Sequence, residues 1–307
     1  MKIVLEEVAV FLAVVDTGSL TAAAERLGQP VSTTSRLLAR LEEKLQVTLL
    51  RRTTRRLDLT DEGCGFVEDA RRILESVRAA EDRLMTRRGR LSGPLYVDAS
   101  TPLMLHVLVP LMKGYRDLHP EVELILSTEE GYIDLLERRV DLAIRVGELK
   151  DSTMHRRLLG HTRVRLFASP DYLREHGVPK SASDLAQHEL LGFTKPDSLN
   201  VWPLKGVASS RITPTVFSSS GETLRQLALQ GMGIVHLSEF MTAADVAEGR
   251  LVEVLKDVTL PTTKPVNAVF YKHSAVSARI ASMVDYLARA MASQESLWAS
   301  GLQRAAD

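Results

Sequence analysis

Apolar residues in the first sixty positions recur at helical spacing, in three bursts separated by breakers. Val4, Leu5, Val8, Phe11, Leu12 and Val15 fall on one helix face. Thr17-Gly18-Ser19 interrupts the pattern. Ser19 can cap a second helix, Leu20 to Leu27, and Gly28 supplies its stop. Ala22, Ala23 and Ala24 are small enough for a neighbouring helix to approach closely. After Gln29-Pro30-Val31, Ser32 is placed to cap a third helix running to about Gln46, with Leu37, Leu38, Leu41 and Leu45 as its buried stripe. Thr33, Arg36 and Arg40 share another face of that helix. This is a helix-turn-helix pattern whose third helix offers hydroxyls and guanidinium groups to phosphate oxygens and base edges. Charged helix faces are common, so this face alone leaves a merely solvated surface equally open.

The next segment changes the balance. Leu49-Leu50-Arg51-Arg52-Thr53-Thr54-Arg55-Arg56-Leu57-Asp58-Leu59-Thr60 alternates, which predicts two short strands joined at Thr53-Thr54. Arginines on such a wing can straddle a phosphate backbone or enter a minor groove. From Arg26 to Thr60, Arg26, Arg36, Arg40, Lys44, Arg51, Arg52, Arg55 and Arg56 stand against Glu42, Glu43 and Asp58. A locally basic lobe of this kind is the electrostatic footprint of DNA binding. The candidate contacts are Ser32, Thr33, Thr34, Arg36 and Arg40 on the third helix, with Arg52, Thr54 and Arg55 on the wing.

From about Glu62 to Arg88 the apolar positions Phe66, Ala70, Ile73, Val77, Ala80 and Leu84 alternate in steps of four and three. That is a heptad seam. A helix lying on its own domain would show the same stripe. A two-chain coiled coil is preferred, because the helix joins two domains and a dimeric DNA reader needs a symmetric spacer. The expected dimer seam is Phe66, Ala70, Ile73, Val77 and Leu84. Glycines and Pro94 mark a hinge at 89–93. Beyond it, apolar runs at 95–98, 122–126, 142–146, 164–168, 215–218, 234–237, 251–254 and 266–271 read as strands. Helical stretches at 102–118, 132–138 and 222–229 lie between them, which predicts an α/β sheet architecture.

Composition narrows the function classes. The chain has 307 residues, enough for about two domains. Its formal net charge is +0, so any basic surface is local. Acidic residues at positions 6 and 7 argue against a signal peptide, and no apolar run is long enough to span a bilayer. A cytoplasmic protein with no membrane partner is expected. The single cysteine, Cys64, excludes an internal disulfide and reads as a packed small residue. The eight histidines show no metal-ligand spacing, and Gly231-Met232-Gly233 lacks the rest of a dinucleotide fingerprint. With no nucleophile or phosphate-loop motif, an enzyme is not expected, and no cofactor or metal is. A transporter's solute-binding protein would leave the basic lobe and the heptad helix idle.

Taken together, several strings resemble the LysR-type transcription regulators: Phe11 followed by Gly18-Ser19-Leu20-Thr21-Ala22-Ala23-Ala24 and Leu27, then Ser35-Arg36 with Leu41-Glu42, then Leu49-Leu50-Arg51-Arg52 with Leu57-Asp58-Leu59-Thr60-Asp61-Glu62-Gly63. The chain departs at Leu50, where that family usually has Phe, and at Gln46, where Gly commonly ends the helix. A non-glycine in the left-handed conformation costs about 1 kcal/mol; otherwise the turn is built differently. The resemblance implies a winged helix-turn-helix over 1–61, a linker coiled-coil helix over 62–88 and an effector domain over 94–298, with a tail at 299–307. That domain would resemble type 2 periplasmic binding proteins, with one lobe at about 94–164 and 268–298 and the other at about 165–267. The chain would cross between lobes near His161–Val164 and Pro265–Ala268. It also implies double-stranded DNA as partner, self-association into dimers and homotetramers, RNA polymerase as a further candidate partner, and control by a small molecule bound between the lobes.

The resemblance implies that two helix starts face that cleft from opposite lobes. Thr101 or Ser100 can cap the helix after the first strand of the sensor, and Ser219 and Glu222 have capping-box spacing at a second. Free N–H groups at such starts suit an anion, so a small carboxylate or other anion is the expected effector class. Thr128, Arg145 and Trp202 complete the candidate set, Arg145 for charge and Trp202 as an aromatic wall. Each has a plainer reading: caps for the hydroxyls, and a carboxylate partner in its own lobe for Arg145.

Overall fold

The computed structural model describes residues 3–52, 57–86, 91–128, 140–148, 154–206, 211–271 and 277–293. The N-terminal unit packs helices α1 (Leu5–Thr17), α2 (Leu20–Leu27) and α3 (Val31–Leu45) around Val8, Phe11, Leu12, Val14, Ala23, Leu37, Leu38 and Leu41. Ser19 caps α2, its Oγ accepting from Ala22 N–H at 3.5 Å. Pro30, not Ser32, holds the cap position of α3, so Ser32 lies inside the helix. Gln46 takes the left-handed conformation (φ 56°), and its N–H closes the helix onto Glu42 and Glu43 carbonyls. The left-handed turn that ends the helix is thus formed without a glycine.

Strands β1 (Leu50–Arg52) and β2 (Leu57–Leu59) pair antiparallel as the wing. Thr60 ties it down: its Oγ1 donates to Thr48 O at 2.7 Å and accepts from Gly63 N–H at 2.9 Å, which caps the long helix α4 (Asp61–Thr86). At Gly63 a β-carbon would sit 2.1 Å from Leu49 O, so only glycine permits this approach. Cys64 is exposed in the first turn of α4, which corrects its reading as a packed residue.

The C-terminal sheet runs in the order β4 (Val122–Thr128), β3 (Gly93–Ala99), β5 (Leu142–Val146), β11 (Thr263–Tyr271), β6 (Met154–Ala168), β9 (Ile234–Ser238), β7 (Leu190–Phe193), β8 (Val216–Ser218), with β10 (Val252–Val254) also on β6. In the first lobe β3 (Gly93–Ala99), β4 (Val122–Thr128) and β5 (Leu142–Val146) are parallel, and β11 (Thr263–Tyr271) returns antiparallel beside β5. Between β3 and β4 the chain forms α5 (Thr101–Leu103), a π-helical turn (Met104–Leu108) and α6 (Val109–Leu118). β6 (Met154–Ala168) is longer than the 164–168 run suggested. It pairs with β11 through Arg163 and with β9 (Ile234–Ser238) from Val164, so the passage between lobes falls within this one strand. β11 carries a register shift between Val266 and Asn267.

The second lobe adds α7 (Pro170–His176), β7 (Leu190–Phe193), β8 (Val216–Ser218), α8 (Gly221–Leu229), α9 (Glu239–Ala247) and β10 (Val252–Val254). α10 (Ala278–Ser293) returns to the first lobe and buries Ile280, Met283, Val284 and Leu287. One core cluster runs through both lobes, from Leu103, Met104 and Val107 to Leu224, Ala228, Phe240 and Met241, where α5 lies against α8 and α9. The helix expected at 132–138 lies outside the described residues. Among those residues no helix is long and apolar enough to cross a membrane.

Candidate nucleic-acid interface and effector cleft

On α3, Leu37, Leu38 and Leu41 face the core, which leaves Ser32, Arg36 and Arg40 exposed and Thr33 half-buried. Arg51 of the wing is exposed as well. Arg36, Arg40 and Arg51 make no hydrogen bond or ion pair among the described residues, so their guanidinium groups are available to an anionic partner. Thr34 is different: it is fully buried, receives Gln29 Nε2–H at 3.1 Å and donates to Pro30 O. It fixes the turn before α3 and is removed from the contact set. For Arg52 only the backbone is described, and Thr54 and Arg55 lie outside the described residues.

Other charges of the basic lobe are spent internally. Lys44 Nζ lies 2.6 Å and 2.9 Å from the two oxygens of the fully buried Glu7. Burial pushes the Glu7 carboxyl up, but Lys44 and the Val4 N–H more than offset it and hold it below the usual value. Arg26 pairs with Asp16 at 3.4 Å. Glu42 accepts the N–H groups of Leu49 and Leu50 at 2.8 Å and 3.1 Å, buttressing the wing. Among the described residues, Arg36, Arg40 and Arg51 are the exposed arginines of α3 and the wing that no such bond uses.

The linker seam divides. Ala70 is buried and Phe66 packs against Phe11 of the same chain, ring centroids 5.4 Å apart. Arg71 reaches Asp16 at 2.9 Å. The start of α4 thus packs on the N-terminal unit of its own chain, which corrects the assignment of Phe66 and Ala70 to a two-chain seam. Ile73 is 39% exposed and Val77 half-buried, while of Leu84 only the backbone is described.

In the sensor, register brings Thr128 beside Ala99, at the strand end that leads into Ser100 and Thr101. Ser100 and Thr101 are half-buried and Thr128 is exposed; Ser100 occupies the cap position of α5 without a side-chain cap bond. Arg145 is satisfied within its lobe, 2.5 Å from the buried Asp98, whose other oxygen receives Ser127 Oγ–H at 2.7 Å. Trp202 is 1% exposed, inside the second lobe's core with Leu166 and Ile234, and so is no wall of an open cleft. Ser219 is exposed, and Ser220 rather than Ser219 precedes α8, so the expected capping box is not formed.

Glu222 has a role the sequence did not reveal. Its Oε2 receives Nε2–H of His106, from the π-helical turn of the other lobe, at 2.7 Å. Its Oε1 receives Arg225 Nη1–H at 2.7 Å. Desolvation raises the Glu222 carboxyl, but Gln226, His106 and Arg225 outweigh it and hold it low. Arg225 also grips the buried Asp245 through two bonds of 2.6 Å and 2.8 Å. Glu222 is therefore a cross-lobe tie rather than a free anion contact. Among the described residues no cluster of His, Cys, Asp or Glu could hold a metal ion.

Comparison with known proteins accords with this geometry. Residues 5–64 match the model of the bacterial regulatory helix-turn-helix proteins of the lysR family, and residues 88–292 match that of the LysR substrate binding domain. The HTH-type transcriptional regulator CrgA of Neisseria meningitidis is 45% identical over 289 residues, covering 94% of this chain and 97% of CrgA. The regulator DmlR of Escherichia coli is 33% identical, covering 92% of this chain and 93% of its own. The solved structure of CrgA superposes with a TM-score of 0.64 over 93% of this chain and 98% of that one. The chain belongs to the LysR family of helix-turn-helix transcriptional regulators.

Proposed function

We propose that this LysR-type regulator binds a specific double-stranded operator through the exposed face of α3 and the wing, under control of a small molecule bound between the lobes of its sensor. The observation that carries the reading is the set of exposed Arg36, Arg40 and Arg51, which make no hydrogen bond or ion pair among the described residues, on a helix-turn-helix unit where Arg26 and Lys44 pair with carboxylates. α3 enters a major groove with Arg36 and Arg40 on phosphates or guanine edges, and Ser32 and Thr33 approach the backbone. The wing, with Arg52, Thr54 and Arg55, follows the flanking phosphates. Dimers form through the later part of α4, beyond the segment that packs on its own domain, and pair into tetramers through the sensors. RNA polymerase is the further partner of such an assembly on DNA in the cytoplasm.

Ser100, Thr101 and Thr128 gather at one strand end and support a small carboxylate as the effector class. Closing the lobes on it alters the spacing that the linker helices impose on DNA, and effector affinity and DNA affinity are then reciprocally coupled. Binding of the full-length protein to DNA upstream of its own gene, against random DNA, tests the regulator reading. Sequence-selective, salt-sensitive binding is expected; equal affinity for both DNAs across a salt series would refute recognition of that fragment.

A further inference from the structure

Lys264 lies near the start of β11, where β6 and β11 carry the chain between lobes. Register sets Lys264 opposite Thr162 of β6, and His236 of β9 opposite Leu166. Thr162, Val164 and Leu166 alternate with Arg163 and Arg165 along β6, so Lys264 and His236 project to the same face of the sheet. That face carries Trp202, whose ring centroid is 5.9 Å from that of His236.

Both groups are costly as they stand. His236 is only 9% exposed, and its Nε2 is buried with no hydrogen-bond partner. Lys264 is half-buried, and among the described residues no hydrogen bond or carboxylate reaches its ammonium. Neighbouring cations are compensated: Arg165 by Glu253 at 3.3 Å and Glu239 at 3.6 Å, Arg145 by Asp98. Burial draws the Lys264 ammonium below its usual value. It also draws the His236 imidazole down to about 3, aided by the positive charge of Lys264 and Arg165. A donor and a cation held largely out of water, with no counter-charge among the described residues, form a site that an anion completes.

We infer that Lys264 and His236 form an anion subsite at the crossing between the lobes, which receives a carboxylate of the effector. The inference rests on the effector reading above and names the residues that select the charge. Lys264 supplies the positive charge, His236 an N–H donor, and Trp202 positions the imidazole by packing on it. A neutral amide of the same shape leaves Lys264 uncompensated, so the site discriminates by charge rather than by size.

The thermal midpoint of the full-length protein, titrated with acetate, succinate, benzoate and phosphate against chloride and against acetamide, succinamide and benzamide, tests this. Wild type is expected to show a saturable rise with at least one carboxylate and none with its amide. Lys264→Met should raise the half-saturating concentration at least tenfold. It should also melt higher than wild type without ligand, because an uncompensated buried cation is gone, an effect that a merely structural lysine would not produce. His236→Phe should weaken the response, and His236→Gln, which keeps an N–H donor, should retain most of it. No response in wild type, an undiminished response in Lys264→Met and His236→Phe, or a lower unliganded midpoint for Lys264→Met would overturn the subsite. A response to phosphate alone would overturn the carboxylate class. DNA binding by the same samples without added anion reports separately on the regulator reading.

Discussion

At the residue scale, the sequence shows which charges exist but not where they are spent. Lys44 reads as one more cation of a DNA-binding face. It is consumed by Glu7, 37 positions earlier, which no local pattern reveals. The depressed Glu7 carboxyl has a consequence for pH. Its contribution to stability is fully present above its unfolded value of 4.5 and is lost as pH falls through the lower folded value. Lys44→Met should therefore lower the thermal midpoint at pH 7, with the gap to wild type narrowing in acid. A gap that stays constant to pH 3 would show that the ion pair is not its source. Thr60 and Gly63 show the converse: both stand in the motif string that carries the family resemblance, but why those residues are needed appears only when Thr60 is seen bonding the wing and Gly63 touching Leu49 O.

At the element scale, strong periodicity was legible and short or composite elements were not. α1, α2, α3 and α4 follow their apolar stripes, and β5 matches its predicted bounds. β7 and α9 were missed: Gly192 interrupts the strand, and α9 buries Thr242 and Asp245 beside Phe240 and Met241, so neither shows a clean apolar pattern. The seam of α4 was legible as a stripe but not as to its partner, since a domain face and a second chain demand the same residues. The structure separates them by position along the helix. Phe66→Ala should destabilise the N-terminal unit by about 3 kcal/mol, near the lower end for truncating a packed Phe, and do so at any protein concentration. Ile73→Asp should leave that unit's midpoint unchanged and weaken the dimer, read by sedimentation over a dilution series. Loss of dimer from Phe66→Ala with no loss of stability would reverse the assignment.

At the scale of the whole molecule, the α/β architecture followed from alternating strand and helix patterns and the two lobes from the family resemblance alone, while the contacts that hold the lobes followed from neither. His106 and Glu222 are 116 positions apart, and the capping-box spacing that singles out Glu222 says nothing of His106. Their bond, with the shared core around Leu103 and Leu224, ties the π-helical turn to the start of α8. A hydrogen bond to a charged group contributes about 1.5–3 kcal/mol, less where water competes, as at these partly exposed side chains. His106→Ala should speed amide hydrogen exchange at the start of α8 while leaving α1 to α3 unaffected. Unchanged exchange there would show that the apolar contact alone holds the lobes.

The central claim is that α3 reads DNA with Arg36 and Arg40, while Lys44 and Arg26 serve the fold. Its most direct test is the salt dependence of operator affinity for wild type, Arg36→Ala and Arg40→Ala, with thermal midpoints measured alongside. Each lost phosphate contact should lower the slope of log affinity against log salt by about 0.9, and each lost base contact should cost about 1–3 kcal/mol of discrimination. The account predicts weaker binding from both substitutions at unchanged midpoints. Wild-type affinity and slope in both variants would contradict it.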